Sequence, residues 1–286
     1  MVKAVIPAAG MGLRFLPATK AQPKEMLPVV DKPVIQFVVE EAISAGIDDI
    51  IIITGKDKRA IIDHFDRSIE LERILQDKGR HEEAELLRKI AGVDIHYIRQ
   101  SEPLGLGHAI NCASKHIGNE PFAIMLGDDF YMSKVPQITQ LINVFNKLGG
   151  SVLGVKKVPE HQIPRYGIIH PETIDEKTFL VKNIIEKPPI ESAPSNLAWM
   201  GRAIMTPSIF DHLKDLKPGY GGEIQVTDAM KLMVANEKIY AYLYEGVRYD
   251  VGDKMNYLRA IIDYGLTRDD VKTELVEHMK RVLNNE

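Results

Sequence analysis

Residues 5–28, VIPAAGMGLRFLPATKAQPKEMLP, decide how the rest of the chain is read. They open as a strand: Val2, Ala4, Val5 and Ile6 form a short apolar run that Pro7 and the AAGMG segment cut off. A turn so poor in side chains, built from Ala8, Ala9, Gly10 and Gly12, leaves backbone N–H groups exposed and lets a bulky anion approach the main chain. Arg14, Lys20 and Lys24 follow at a spacing that lets the loop fold back over the same anion, and Pro17, Pro23 and Pro28 limit its wandering. The stretch reads as a cradle for a polyphosphate, with a plain tight turn as the alternative from the glycines alone.

Two common nucleotide patterns fail here. The dinucleotide fingerprint GxGxxG meets Phe15 at its third glycine, and the second strand ends in Thr54 and Gly55 with no acidic residue. The pattern GxxxxGK[ST] is absent from the sequence. Hydride transfer and P-loop hydrolysis both lose ground.

The next segments build an α/β frame around the cradle. Pro33 marks a helix start, Ile35, Val38, Val39, Ala42 and Ile43 give it an apolar face, and Gly46 ends it. DDIIIIT, residues 48–54, reads as a strand buried on both faces. Strand, helix and strand in that order predict a βαβ unit with a right-handed crossover, and so a doubly wound sheet. Residues 57–65 predict a short helix, and residues 68–91 a charged helical stretch with a solvated face, broken near Gly79. In such a sheet the loops at the carboxyl ends of neighbouring strands share one crevice.

Three later segments send polar groups into that crevice. After the strand at 94–98, Gln100 carries a donor and an acceptor that suit a pyrimidine edge, and Gly105 and Gly107 let a flat base lie against backbone. By its chemistry alone Gln100 reads equally as a turn residue, and His108 as a packing residue of the next helix. The strand at 122–126 runs into Asp128 and Asp129, placed where a metal carried by nucleotide phosphates needs oxygen ligands; an ordinary turn is the alternative. In the second half Glu186 and Lys187 end a strand at 181–188 before two prolines, either entering the crevice or pairing with each other at an edge. Thr227 or Asp228 suits the cap of a helix, Asp250 lies in a turn at VGD, and Val271, Leu275, Met279 and Val282 or Leu283 give the last helix one apolar face.

Composition narrows the classes. The chain has 286 residues, 45% hydrophobic and 27% charged, enough for one large α/β domain or a domain with a smaller lobe. Lysine and arginine number 36 against 40 acidic residues, so there is no global basic field for nucleic acid and any anion is held locally. The start MVKAVIPAAG reads as a buried strand, not a signal peptide, and no run reaches the ~18 apolar residues of a membrane span. Cys112 is the single cysteine, so no internal disulfide forms, and a cytoplasmic location is expected. The nine histidines show neither HxxxH nor HExxH spacing, so no histidine metal site is expected.

The opening stretch resembles the signature GxGTRxxPxTxxxPKxxLP of the sugar-nucleotide pyrophosphorylases. The form PATKAxPKEMLPxVDKPxIQ is similar to that of the bacterial and archaeal UTP-glucose-1-phosphate uridylyltransferases. Leu13 replaces the family threonine after the second glycine and removes a hydroxyl that can bond phosphate. RQSEPLGLGHA at 99–109, YG at 166–167, EKP at 186–188, APSNLAWMGRA at 193–203 and GEIQ at 222–225 extend the likeness to about residue 265.

The resemblance implies a Rossmann-like α/β fold, a doubly wound, mixed and mainly parallel sheet with a smaller β-rich sugar-binding lobe. It implies UTP and glucose-1-phosphate as substrates, Mg2+ as cofactor and a homo-oligomer, dimer or tetramer. Nucleotide contacts are expected from Ala8, Ala9, Gly10, Gly12, Arg14, Lys24, Gln100 and Gly105, and sugar-phosphate contacts from Gly167, Glu186, Lys187 and Gly201. Asp128 and Asp250 are the expected metal ligands, with Arg14, Lys24, Asp128 and Lys187 as the catalytic set. Residues 1–150 are expected to form the nucleotide half and 151–253 the sugar-phosphate half, with 254–286 as helices for packing or oligomer contact. Thymidylyl or other nucleotidyl transfer and a noncatalytic sugar-nucleotide sensor stay open as alternatives. Base and sugar choice rest on the resemblance and not on residue chemistry.

Overall fold

A computed structural model describes residues 2–284 of the chain. The first strand, β1 (Lys3–Pro7), leads into a loop of three short 3₁₀ turns, Leu13–Phe15, Ala18–Lys20 and Lys24–Met26. A two-residue hairpin, β2 (Pro28–Val29) and β3 (Lys32–Pro33), feeds α1 (Val34–Ser44). There follow β4 (Ile50–Thr54), α2 (Arg59–Phe65), α3 (Ile69–Asp77), α4 (His81–Ala91) and β5 (Ile95–Arg99). Next come α5 (Leu106–Asn111), α6 (Ser114–Ile117), β6 (Phe122–Met125), β7 (Asp129–Met132) and α7 (Gln137–Leu148).

The second half is richer in strand: β8 (Ser151–Lys157), β9 (Gly167–Thr173), β10 (Thr178–Glu186) and β11 (Leu197–Met205). It continues with α8 (Ile209–Lys214), α9 (Val226–Met233), β12 (Ile239–Leu243) and β13 (Val247–Asp250), and closes with α10 (Lys254–Gly265) and α11 (Lys272–Leu283). Residues 285–286, which the sequence reading also takes as helical, lie outside the described residues.

One nine-stranded sheet carries both halves, in the order β5-β4-β1-β6-β11-β8-β12-β10-β9. β1 pairs in parallel with β4 and β6, and β4 with β5, as the strand–helix–strand pattern predicts. Beyond β6 the sheet turns mixed. β11 lies antiparallel to both β6 and β8, β12 runs parallel to β8, and β10 is antiparallel to β12 and β9. Three of the four parallel pairings thus lie in the amino-terminal part, and the β-rich character belongs to the other.

Alternate residues of the central strands face opposite layers. Val5, Ile51, Ile53, Phe122 and Ile124 pack under α5, α8 and α9, while Ala4, Ile6, Ile50, Ile52 and Met125 pack under α1 and α7. Every residue of β4 is buried, which explains its unbroken isoleucine run. Helices on both faces leave the carboxyl ends of β1, β5 and β6 as the open edge of the frame.

The charged stretch forms α3 and α4 with the break at Gly79, φ +72°. Arg67 and Arg88 converge on Glu72 at 2.9 and 3.0 Å, and the acidic first turn and basic last turn of α4 complement its dipole.

Candidate active site

A cleft of about 750 Å³ opens at the carboxyl ends of the central strands. Ala9, Gly10, Arg14 and Lys24 reach it from the opening loop, Gln100 and Gly105 from the loop after β5, and Asp128 from the end of β6. The opposite wall brings Gly167, Glu186 and Lys187 from β9 and β10, Gly201 from β11 and Asp250 from β13. Residues scattered over 240 positions of sequence therefore meet in one space.

Three residues of the opening loop fall outside it. Ala8 is buried, and its N–H donates to the Ile53 carbonyl at 2.8 Å, so it offers no donor to an anion. Gly12 lines a small adjoining groove with Arg14 and Gly252 instead. Its φ of +69° turns the chain, and its carbonyl accepts from Thr19 Oγ1 at 2.7 Å. Lys20 is exposed and is not part of the cleft lining.

A chain of alternating charges forms the floor. Lys24 Nζ is ion-paired to Asp128 Oδ2, and next to it Glu25, 1% exposed, accepts from Lys58 Nζ at 2.7 Å. Arg248 makes a bidentate pair with Asp129, its Nη2 at 2.8 Å from Oδ1 and 2.7 Å from Oδ2, and stands 3.8 Å from Asp250. Beneath them Arg202, wholly buried, donates to Glu41 Oε2 at 2.9 Å and to the carbonyls of Leu126 and Asp129 at 3.1 and 2.7 Å.

Burial opposes the charge on Lys24, but Asp128 and Glu25 outweigh it and hold the ammonium above its ordinary range. Burial likewise opposes Asp128, yet Lys24 wins and keeps the carboxyl below the usual value. Burial pushes Asp129 up to about 7, against the pull of Arg248 and with a further push from Asp250 and Asp128.

The oxygen donors fit a divalent ion. Asp128 and Asp250 are adjacent across the floor, since Val251 N–H donates to the Asp128 carbonyl at 3.0 Å, and both act on the charge of Lys24. The Lys24 ammonium on Asp128 already shows this carboxylate taking a cation, and carboxylate oxygens are the ligands that hard ions prefer. Asp250 ends strand β13 paired with β7, and its Oδ1 accepts from Gly252 N–H at 2.8 Å.

On the second wall Glu186 Oε2 accepts from Thr227 Oγ1 at 2.9 Å, and Lys187 Nζ lies 3.3 Å from Glu186 Oε1. Thr227 is thus a support for Glu186 and not a helix cap; neither it nor Asp228 caps α9, whose N-cap is Gln225. A Cβ on Gly167 falls 2.7 Å from Thr227 Cγ2 and 3.2 Å from Glu186 Oε2, so that glycine makes room for the pair. Lys187 has φ +45° and its ammonium lies 5.0 Å over the Tyr220 ring. Trp199 is 7% exposed and donates to the Arg202 carbonyl at 2.9 Å, a core contact that also borders the cleft.

Around Gln100 the amide is held by its own loop. Nε2 donates to the Gly105 carbonyl at 3.1 Å and meets His108 Nδ1 at 2.9 Å, which leaves Oε1 to accept from a bound molecule. Gly107 turns inward instead of facing a base: its N–H donates to Ile224 O at 2.8 Å, and a Cβ there falls 2.8 Å from the same oxygen. Sequence reasoning missed Arg248, Glu25 and Lys58, and set Asp129 beside Asp128 as a metal-side carboxylate where the structure pairs it with Arg248. Arg248 has no motif around it, and only the pairing of β13 with β7 brings it to Asp129.

Known proteins share this architecture. Residues 3–265 match the Nucleotidyl transferase family. The UTP–glucose-1-phosphate uridylyltransferase of Bacillus subtilis strain 168 is 52% identical over 285 residues, covering 99% of this chain and 98% of its own. A UTP-bound UGPase from Acinetobacter baumannii superposes with a TM-score of 0.90 at 36% identity, covering 98% of this chain and 99% of its own. A UDP-glucose pyrophosphorylase solved with UDP-glucose gives a TM-score of 0.87 at 41% identity, over 94% of this chain and 100% of that one.

Proposed function

The chain belongs to the nucleotidyl transferase family, and on that premise we propose that it forms UDP-glucose and pyrophosphate from UTP and glucose-1-phosphate. The convergence of the glycine loop, Lys24, Asp128, Asp250 and Lys187 on one cleft carries the reading. A phosphate oxygen of the sugar phosphate attacks the α-phosphorus in line, the bond from that phosphorus to the β-phosphate oxygen breaks, and pyrophosphate departs.

The nucleophile needs no base. Its second pKa is ~6, so it is already ionised near neutral pH, and among the described residues no histidine lines the cleft. The obstacle is repulsion between two anions, which alignment and fixed positive charge overcome. Arg14 and Lys24 hold the β and γ phosphates beside the free N–H groups of Ala9 and Gly10, and Lys187 holds the sugar phosphate. Glu186, fixed by Thr227 in the room that Gly167 leaves for the pair, accepts from sugar hydroxyls, with Gly201 on the same wall. Gln100 Oε1 accepts from the imide N–H of the uracil. Members of the family generally use a divalent metal, and here Asp128 and Asp250 would hold Mg2+, which when bound would screen the charge of the phosphates.

In this reading residues 1–150 supply the nucleotide side and 151–253 the sugar-phosphate side. The half-exposed apolar row of α11, Leu275 and Met279 with exposed Val282 and Leu283, supports a homo-oligomer. The single cysteine is consistent with work in the cytoplasm. Among the described residues no helix is long and apolar enough to cross a membrane.

Pyrophosphate release across UTP, dTTP, CTP, ATP and GTP against glucose-, galactose- and N-acetylglucosamine-1-phosphate tests the proposal. The UTP and glucose-1-phosphate pair is expected to be fastest. Absence of a nucleotide sugar from every pair refutes it.

A further inference from the structure

At the end of the sheet opposite the cleft, three metal-binding side chains meet although the sequence shows no histidine spacing motif. Asp49 directly precedes β4, His96 is the second residue of edge strand β5, and His116 belongs to α6. Their ligand atoms all lie within 4.8 Å of one another, the one such grouping among the described residues.

Asp49 Oδ1 is shut off from solvent and makes no hydrogen bond, and its neighbour is His116 Nε2 at 3.4 Å. Two ligands on one tetrahedral zinc, each bonded at about 2.0–2.1 Å, stand about 3.4 Å apart. The Asp49–His116 pair therefore already has the spacing of two ligands on a shared ion. The rings of His96 and His116 lie 4.5 Å apart with their planes tilted by 52°. His96 is exposed, so a side-chain rotation brings its nitrogen to the same point without moving the strand. Lys3 occupies the other carboxylate oxygen, Oδ2, at 3.4 Å and donates to the His116 carbonyl at 3.1 Å, which orients Oδ1 inward.

We infer that Asp49, His96 and His116 form a second cation site, selective for zinc-like transition metals over Mg2+ and separate from the phosphate cleft. Two imidazoles and one carboxylate suit Zn2+ or Ni2+, whereas Mg2+ prefers an all-oxygen shell. Its effect is structural: the ion ties edge strand β5 and α6 to the start of β4.

Titration calorimetry of the full chain with Zn2+, in saturating Mg2+ to fill the cleft carboxylates, tests the site. One equivalent is expected to bind and to raise the thermal midpoint. His96→Ala, at an exposed position that does not threaten folding, is expected to weaken Zn2+ binding at least ~10-fold, the smaller end of what losing even an outer partner of a ligand costs. Asp49→Asn is expected to do the same, while the double variant Asp128→Ala/Asp250→Ala keeps the Zn2+ equivalent. Failure of wild type to take up Zn2+, or uptake unchanged by His96→Ala and Asp49→Asn, overturns the inference.

Discussion

Lys24 and Asp128 show how much one ion pair settles about the reaction. Their mutual attraction raises the ammonium and lowers the carboxyl, so both stay charged from about pH 4 to pH 10, the interval between their ordinary values. An acid limb in turnover then comes from the substrate, whose phosphate takes up its second proton near pH ~6, or from Asp129, which burial pushes up to about 7. The rate is expected to fall as the pH drops through this range and to stay flat from pH 8 to 9, and a limb that disappears in Lys24 or Asp128 variants contradicts this. Lys24→Ala and Asp128→Asn are each expected to lower kcat by ~10² to 10³, the effect of losing one preorganised electrostatic group, as read by pyrophosphate release. Pattern put both residues near the crevice, through acids that follow an apolar strand and lysines between prolines, but it left Asp128 an ordinary turn residue and Lys24 no different from Lys20, and only the family resemblance singled them out. Arg248 went unread, since its meaning comes from a partner 119 residues away.

Among the elements, β11 does the most with the least sequence signal. Gly201 sits where its register against β8 slips, between Trp199 and Ala203, with φ +77°. A Cβ there lands 2.5 Å from Leu126 Cδ1 and 2.9 Å from Asp129 Oδ2. Gly201→Ala is therefore expected to destabilise the fold by about 1–3 kcal/mol in urea titrations and to lower turnover by displacing Asp129. The next residue, Arg202, locks three elements through Glu41 on α1, whose other oxygen accepts from Ile138 N–H in the first turn of α7 at 3.0 Å. Glu41→Ala leaves a buried guanidinium without its counter-charge, and a loss of about 3–5 kcal/mol is expected from the same titrations. The broken charged hairpin and the isoleucine strand were readable from period and breakers. The locking role of Glu41 was not, because an acidic residue on a helix reads as solvated until its tertiary neighbour is known.

At the level of the whole molecule, the parallel half followed from strand–helix alternation, but the placement of β11 between β6 and β8 did not. Local pattern cannot order antiparallel strands whose partners lie 40 to 83 residues away. The site, drawn from both halves, depends on that placement and, under the proposed function, on a divalent ion that Asp128 and Asp250 would hold. Chelation by EDTA is expected to reduce pyrophosphate release to background, and added Mg2+ to restore it; turnover that survives chelation would rule out the metal role.

Because β11 is stitched to β6 on one side and β8 on the other, the walls proposed for nucleotide and for sugar are rows of a single sheet. Such a build has no hinge between its halves. Substrate entry and product escape must instead use the peripheral segments around 11–27 and 217–224, where Tyr220 overhangs Lys187. Amide hydrogen exchange should accordingly slow in those two segments when nucleotide sugar is added, while the amides of β6 and β11 keep the rates they have alone.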